Sequence, residues 1–362
     1  MTLDDLFTAN PYSLTEQEKQ AVLLMMLNNL TEHHRLHCPE YHHILKSMKN
    51  ESRNAVCLET IPMLPVRLFK LLNLVSIPKD QIIKTLTSSG TTSQIVSRIC
   101  LGSETAFRQT RALTSIITSF IGNKRLPMIL VDTAASVDSR KSFTARGAGL
   151  VGMSIFGTDH FYLLDQNMNV RWQELDAYLK KHNEQPLLLF GFTFMIWKYL
   201  YQPLIQEQRK LNLERSILIH SGGWKKMQEL SIKNEHFKVA LQEQLGLRDI
   251  HDFYGMVEQV GSIYMECEHG YFHAPNFSDI IIRNSVTLEP NPFGQSGIVQ
   301  VLSVLPHSYP GHSLLTEDIG TIWGEDTCRC GRKGKYFTIE GRLPASELRG
   351  CSDTYAFDRR TI

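Results

Sequence analysis

The sequence has almost no excess of charge of either sign: 38 lysines and arginines stand against 37 aspartates and glutamates, a net charge of +1. That balance gives nucleic acid or an anionic membrane no long-range field to follow, so neither is expected as the main partner. Long apolar runs are missing too. The longest, Leu187 to Trp197, stops at Lys198, is too short to span a bilayer, and reads as core. The opening residues, Met1-Thr2-Leu3-Asp4-Asp5, lack the basic-then-apolar order of a secretion signal. No internal repeat or low-complexity tract interrupts the 362 residues, a length that suits one main domain with a smaller appendage.

What is present begins with a helix signal. Ser13-Leu14-Thr15-Glu16 has the form of a capping box, and Val22, Met26 and Leu30 follow at four-residue spacing. The histidines that come next, His33, His34, His37, His42 and His43 with Cys38, invite a metal reading. No nearby carboxylates complete a ligand pattern, so helix-end histidines are the expectation. Pro62, Pro65 and Pro78 mark an irregular connection that closes a first segment of residues 1–80. From residue 81 the pattern alternates. Met128–Val131, Leu187–Phe190 and Ile217–Ile219 predict strands, and Glu104–Phe120 and Trp172–Lys181 predict helices, the mark of an α/β sheet with covering helices. Beyond Glu258, Ile280–Ile282, Gly297–Leu302 and Gly320–Trp323 predict a β-rich part over about 260–340 of a core spanning 81–340, with a tail at 341–362.

Chemistry concentrates in three short pieces. Thr87-Ser88-Ser89-Gly90-Thr91-Thr92-Ser93 offers backbone and hydroxyl donors with little bulk, which suits a polyphosphate. Taken alone, such a stretch is more often a flexible loop than a phosphate cradle. Tyr254-Gly255-Met256-Val257-Glu258 and Thr316-Glu317-Asp318 then supply carboxylates: Glu258 for a Mg²⁺ bridging phosphate oxygens, Asp318 for ribose hydroxyls. Between them Ile217–His220 runs as a strand into Ser221-Gly222-Gly223-Trp224, whose glycines allow a close backbone approach.

In this order the pieces resemble the adenylate-forming superfamily, which activates a carboxylate as an acyl-adenylate with ATP and Mg²⁺ before passing it to a thiol. The resemblance implies that family's N-terminal-domain fold, α/β with mixed sheets, covering helices and a smaller β-rich subdomain. It places Gly222 and Gly223 against adenine and Arg342, of Gly341-Arg342, near the nucleotide. Pro65-Val66-Arg67-Leu68-Phe69-Lys70, Gly222-Gly223-Trp224-Lys225-Lys226 and Arg349-Gly350-Cys351-Ser352 resemble one branch, the acyl-protein synthetase of the bacterial, bioluminescence-type fatty-acid reductase complex. That resemblance implies a fatty or other hydrophobic acid as substrate, Cys351 as the thiol that takes the acyl group, and a partner reductase that receives it. Read by itself, Cys351 is an ordinary surface cysteine, with Arg342 and Arg349 close enough in sequence to lower its pKa.

Two departures from the superfamily stand out. The lysine that usually follows the phosphate loop is missing, with Arg98, Lys225 and Lys226 as candidate substitutes. The C-terminal domain that carries a catalytic lysine in the ligases is absent, as in the acyl-protein synthetase branch. Seven cysteines, with an ATP-dependent reading, fit the reducing cytoplasm better than a disulfide framework. Cys267, His273, Cys328 and Cys330 form a Cys₃His set suited to tetrahedral Zn²⁺, with His269 as a substitute ligand and four unrelated residues as the alternative. A similar arrangement in the phenylacetate–CoA ligase branch favours structural zinc. Phe190-Gly191-Phe192-Thr193-Phe194-Met195 suits the wall of an alkyl tunnel or plain core. Two other functions stay open: an AMP-forming carboxylate–CoA ligase, and a non-catalytic nucleotide-binding subunit of a reductase complex.

Overall fold

The computed structural model describes residues 1–48, 54–87, 96–138, 145–183, 185–222 and 232–343. Its strands run β1 (Leu64–Pro65), β2 (Ile82–Thr87), β3 (Arg98–Gly102), β4 (Leu126–Thr133), β5 (Gly157–Leu164), β6 (Leu188–Phe192) and β7 (Ile217–Ser221). They continue as β8 (Asp249–Tyr254), β9 (Tyr264–Met265), β10 (Phe272–His273), β11 (Ser278–Arg283), β12 (Gly297–Ser303), β13 (Ser313–Glu325) and β14 (Lys335–Arg342).

One sheet has the order β5-β4-β6-β7-β8-β9, parallel except for β9. Its central strands β4 and β6 are apolar on both faces, as a parallel sheet covered by helices requires. Met128 and Leu130 of β4 enter one core, while Ile129 and Val131 enter another with Leu175 and Leu241 from the covering helices. The second sheet, β10-β14-β13-β12-β11, is antiparallel, and β1 adds to β13 in parallel. It too is buried on both sides: Ile281 packs with the parallel sheet's core, Ile280 and Ile282 with the opposite cluster. The expected strands all form, longer by a few residues, and the expected helices appear as Ser103–Ile121 and Trp172–Lys181.

The first helix signal lies two residues further on than its Ser13 reading. Thr15 is the N-cap of helix Glu16–His37, with Glu18 completing the capping box, because the Ser13 hydroxyl donates instead to the Asn10 carbonyl at 2.8 Å. The fully buried face is Leu23, Leu27 and Leu30, so Val22 and Met26 only flank it. This helix shares a core with the parallel sheet and joins the antiparallel one through a buried ionic quartet. Lys19 meets Asp279 at 3.1 Å and Glu16 at 2.9 Å, and Lys335 meets Asp279 at 2.7 Å and Glu16 at 3.2 Å. Among the described residues, no helix is long and apolar enough to cross a membrane.

Candidate active site

The parallel sheet delivers its residues at strand ends. Tyr254 is the last residue of β8, and the chain then turns through a short helix, Val257–Gln259, that carries Glu258. Gln259 holds this turn in place, donating through Nε2 to the carbonyls of Gly311 at 2.7 Å and Val301 at 3.2 Å. Gly311 has to be small: a Cβ there would lie 2.8 Å from the Glu258 carbonyl and 2.3 Å from the Tyr309 ring. From the antiparallel sheet, β13 brings Thr316 and Asp318, and β14 pairs Arg342 directly opposite Asp318.

These residues meet. The Tyr254 hydroxyl donates to Asp318 Oδ2 at 2.7 Å, and Arg342 Nε donates to Oδ1 at 3.1 Å. Thr316 Oγ1 accepts from the Asp318 backbone N–H at 3.1 Å and donates to the Val299 carbonyl at 2.8 Å, which locks the bend that presents the carboxylate. Burial, then the charge of Asp318 and the hydrogen bond to it, push the Tyr254 hydroxyl well above its usual range, so it stays a donor. Glu258 is also buried, and burial raises its carboxyl. The Ser97 hydroxyl, the backbone, Lys70 and Arg342 pull the other way. Two of the three sequence pieces, Tyr254–Glu258 and Thr316–Asp318, therefore meet in one place, with Ser97 beside Glu258.

The remaining predicted residues fall as follows. Thr87 closes β2 and pairs with Arg98 across the β2–β3 hairpin. Ser88, Ser89, Gly90, Thr91 and Thr92 lie outside the described residues. So do Gly223, Lys225, Lys226 and Cys351. Gly222 directly follows β7 with φ +83°, a left-handed conformation that favours glycine. Thr316, Ser97 and Lys70 are functional candidates to which the sequence reading gave no role. Spacing along the chain does not reveal that Ser97 and Lys70 bear on the charge of Glu258.

A second cluster joins β10 to the turn between β13 and β14. The donor atoms of Cys267, His273, Cys328 and Cys330 all lie within 4.8 Å of one another, three of the residues buried. Cys267 Sγ is 3.9 Å from Cys328 Sγ, and Cys330 Sγ is 3.3 Å from His273 Nε2. His269 is not in the group. Burial pushes the Cys328 thiol up to about 12 and His273 down to about 4. Three thiols and an imidazole converging in this way suit a four-coordinate metal ion. The helix-end histidines are satisfied locally, His33 Nε2 by the His307 carbonyl at 3.0 Å and His37 Nδ1 by the His33 carbonyl at 2.8 Å.

Over residues 1–358 the chain matches the family described as acyl-protein synthetase, LuxE. It is similar to the long-chain-fatty-acid–luciferin-component ligase of Vibrio harveyi, 24% identical over 358 residues, covering 97% of this chain and 92% of that one. A ligase of the same name from Aliivibrio fischeri is 27% identical over 150 residues, 39% of this chain and 38% of that one. Among solved structures, an open conformation of 2-hydroxyisobutyryl-CoA ligase in complex with 2-HIB-AMP and CoA superposes with a TM-score of 0.71. The match has 15% identity and covers 92% of this chain and 72% of that chain, a likeness of fold that bears out the expected adenylate-forming architecture.

Proposed function

Because the chain belongs to the acyl-protein synthetase (LuxE) family, matched over residues 1–358, we propose that it activates a fatty or other hydrophobic carboxylic acid with ATP and passes the acyl group to its own cysteine. The observation that carries this reading is the convergence of Tyr254, Asp318, Arg342 and Glu258. In the first step a carboxylate oxygen attacks the α-phosphorus, the bond to the β-phosphate oxygen breaks, and pyrophosphate leaves. Asp318, oriented by Tyr254 and Thr316, accepts from the ribose hydroxyls. Arg342 Nε is held by Asp318, and its exposed guanidinium would meet the phosphates. Gly222 and Gly223 border the adenine, and Thr87 to Thr92 bind the polyphosphate. Glu258 would hold Mg²⁺, which when bound neutralises charge on the phosphate oxygens.

In the second step the Cys351 thiolate attacks the acyl carbonyl, the anhydride C–O bond breaks, and AMP leaves, giving a thioester for transfer to a partner reductase. The Cys267, His273, Cys328 and Cys330 cluster is assigned to structural zinc, which would tie β10 to the turn before β14 and leave no open position for catalysis. Metal analysis of the purified chain should find about one zinc per chain, lost on substituting Cys328 by serine.

The test is intact-protein mass after incubation with ATP, Mg²⁺ and a panel of fatty acids, for the native chain and Cys351→Ser. A hydroxylamine-sensitive acyl gain that needs ATP and vanishes in the variant is expected. Acyl-CoA formation that persists in the variant would replace this reading with a carboxylate–CoA ligase. Absence of pyrophosphate exchange with every acid would leave a nucleotide-binding subunit.

A further inference from the structure

The Cys₃His cluster is drawn from two separate segments, Cys267 to His273 and Cys328 to Cys330. Cys267, His273 and Cys328 are buried, and Cys330 is half-exposed. A metal ion held here would be lost when the two segments part. Whatever ties them together outside the four ligands therefore decides how firmly the ion is kept.

A ligating histidine usually donates its second ring nitrogen to an outer partner, and that bond fixes the ring. His273 lacks it. Its Nε2 stands 3.3 Å from Cys330 Sγ, while its buried Nδ1 has no hydrogen-bond partner among the described residues. Packing holds the ring instead: Tyr336 stacks on it at 6.0 Å, and Tyr12 meets it edge-on at 6.1 Å.

An ion pair joins the two segments. Arg332 lies two residues past Cys330, and its Nη1 donates to Glu268 Oε2 at 3.0 Å, where Glu268 directly follows Cys267. The same guanidinium lies over two rings, its Cζ 4.3 Å from the centroid of Phe120 and 5.9 Å from that of Tyr12. Those rings meet edge-on at 6.1 Å, and the Tyr12 carbonyl accepts from the Lys333 N–H at 3.0 Å. Tyr12 thus touches both Arg332 and His273. With its side chain only 20% exposed and its plane spread on aromatics, Arg332 is held far more firmly than an ordinary surface cation.

We infer that Arg332 is an outer positioning residue of the metal cluster: reaching from the Cys328–Cys330 segment to Glu268 and clamped on Phe120 and Tyr12, it straps the two ligand segments together and slows loss of the metal. This rests on the zinc assignment made for the cluster.

The experiment follows transfer of zinc from the full, zinc-loaded chain to an excess of a coloured chelator, for wild type, Arg332→Met, Arg332→Lys, Glu268→Gln and Arg209→Met. Arg209 is the control, since it makes the same kind of contact elsewhere, over the Trp172 ring at 4.6 Å and paired with Asp176. Arg332→Met should release zinc about 10- to 100-fold faster, the usual cost of losing an outer-shell partner. Glu268→Gln should accelerate release less, because the ring contacts remain, and Arg332→Lys should recover only part of the loss, because an ammonium cannot spread over two rings. Arg209→Met should match the wild type. Cobalt(II) loaded in place of zinc reads the ligands themselves, and its tetrahedral absorption bands should persist in Arg332→Met. An unchanged rate in Arg332→Met, an equal acceleration in Arg209→Met, or loss of the cobalt bands in Arg332→Met would overturn the inference. If the wild type takes up neither zinc nor cobalt, the metal assignment falls and this inference with it.

Discussion

Two buried groups of charge, both built on the antiparallel sheet, are put together differently. In the quartet of Glu16, Lys19, Asp279 and Lys335, two cations face two anions with almost no exposure, and every contact is internal to the protein. At the candidate active site, Asp318 and Glu258 are nearly as buried, but the cations near them are not: the Arg342 side chain is 77% exposed and Lys70 is exposed. The first arrangement closes on itself and holds the helix Glu16–His37 to β11 and β14. The second leaves buried acceptors with cations turned outward, which serves a ligand better than it serves stability.

Breaking each group should therefore have opposite consequences. Lys19→Met leaves Asp279 and Glu16 with one lysine between them and is expected to lower the unfolding free energy by about 3–5 kcal/mol. Urea unfolding measures it, and a loss under about 1 kcal/mol would mean that water or relaxation replaces the lysine. Glu258→Gln removes a carboxylate whose charge burial opposes, so its folded-state pKa lies above that of the unfolded chain. Such a group costs stability increasingly as pH rises above the ordinary carboxylate range. The variant should match or exceed the wild-type melting temperature at pH 7, while pyrophosphate exchange falls about 10²- to 10³-fold. A marked drop in melting temperature would make Glu258 part of the scaffold instead.

The quartet and the site also differ in how visible they are in the sequence. The site's anions were legible because Tyr254, Glu258, Thr316 and Asp318 sit in short runs whose residue types already state their chemistry. The strands were legible for a similar local reason: runs such as Ile280–Ile282 are apolar at every position because both faces of the sheet are covered. Long-range partners were not. Lys19 reads as a solvated helix residue until Asp279 and Lys335 are placed beside it, and the two-residue parallel strand β1 is too short to leave any periodicity. The metal cluster lies between: the Cys-x-Cys pair is visible, but its meeting with Cys267 and His273 is a property of the fold. The helix cap was misplaced by two residues because Ser13 and Thr15 are equally good caps by type, and only the Asn10 carbonyl decides between them.

A third burial, of neutral rings, connects the two regions and tests whether pH can separate them. His34, on the quartet's helix, stacks on His312, which directly precedes the site's strand β13. His33, Tyr41, Thr31 and Ser76 close around the pair. Burial holds His312 down to about 3 and His34 well below its usual value, so both stay neutral when folded but take up protons when unfolded. Stability should be full above pH 6.5 and fall below it, by about 1 kcal/mol for each ring between pH 6.5 and 5.5. Unfolding of His312→Gln should show a shallower pH slope over that window.

The smallest effect on stability should come from the site's own ion pair. Arg342→Ala removes an exposed partner from Asp318, and exposed pairs contribute less than about 1 kcal/mol, so unfolding should barely change. Asp318 keeps the Tyr254 hydroxyl and the bend fixed by Thr316, which leaves the carboxylate in place. Pyrophosphate exchange should nonetheless fall about tenfold if the exposed guanidinium meets the nucleotide as proposed. If stability and exchange instead drop together, Arg342 belongs with Lys19 as a structural charge, and the distinction between closed and open clusters fails at the residue where it is most exposed to test.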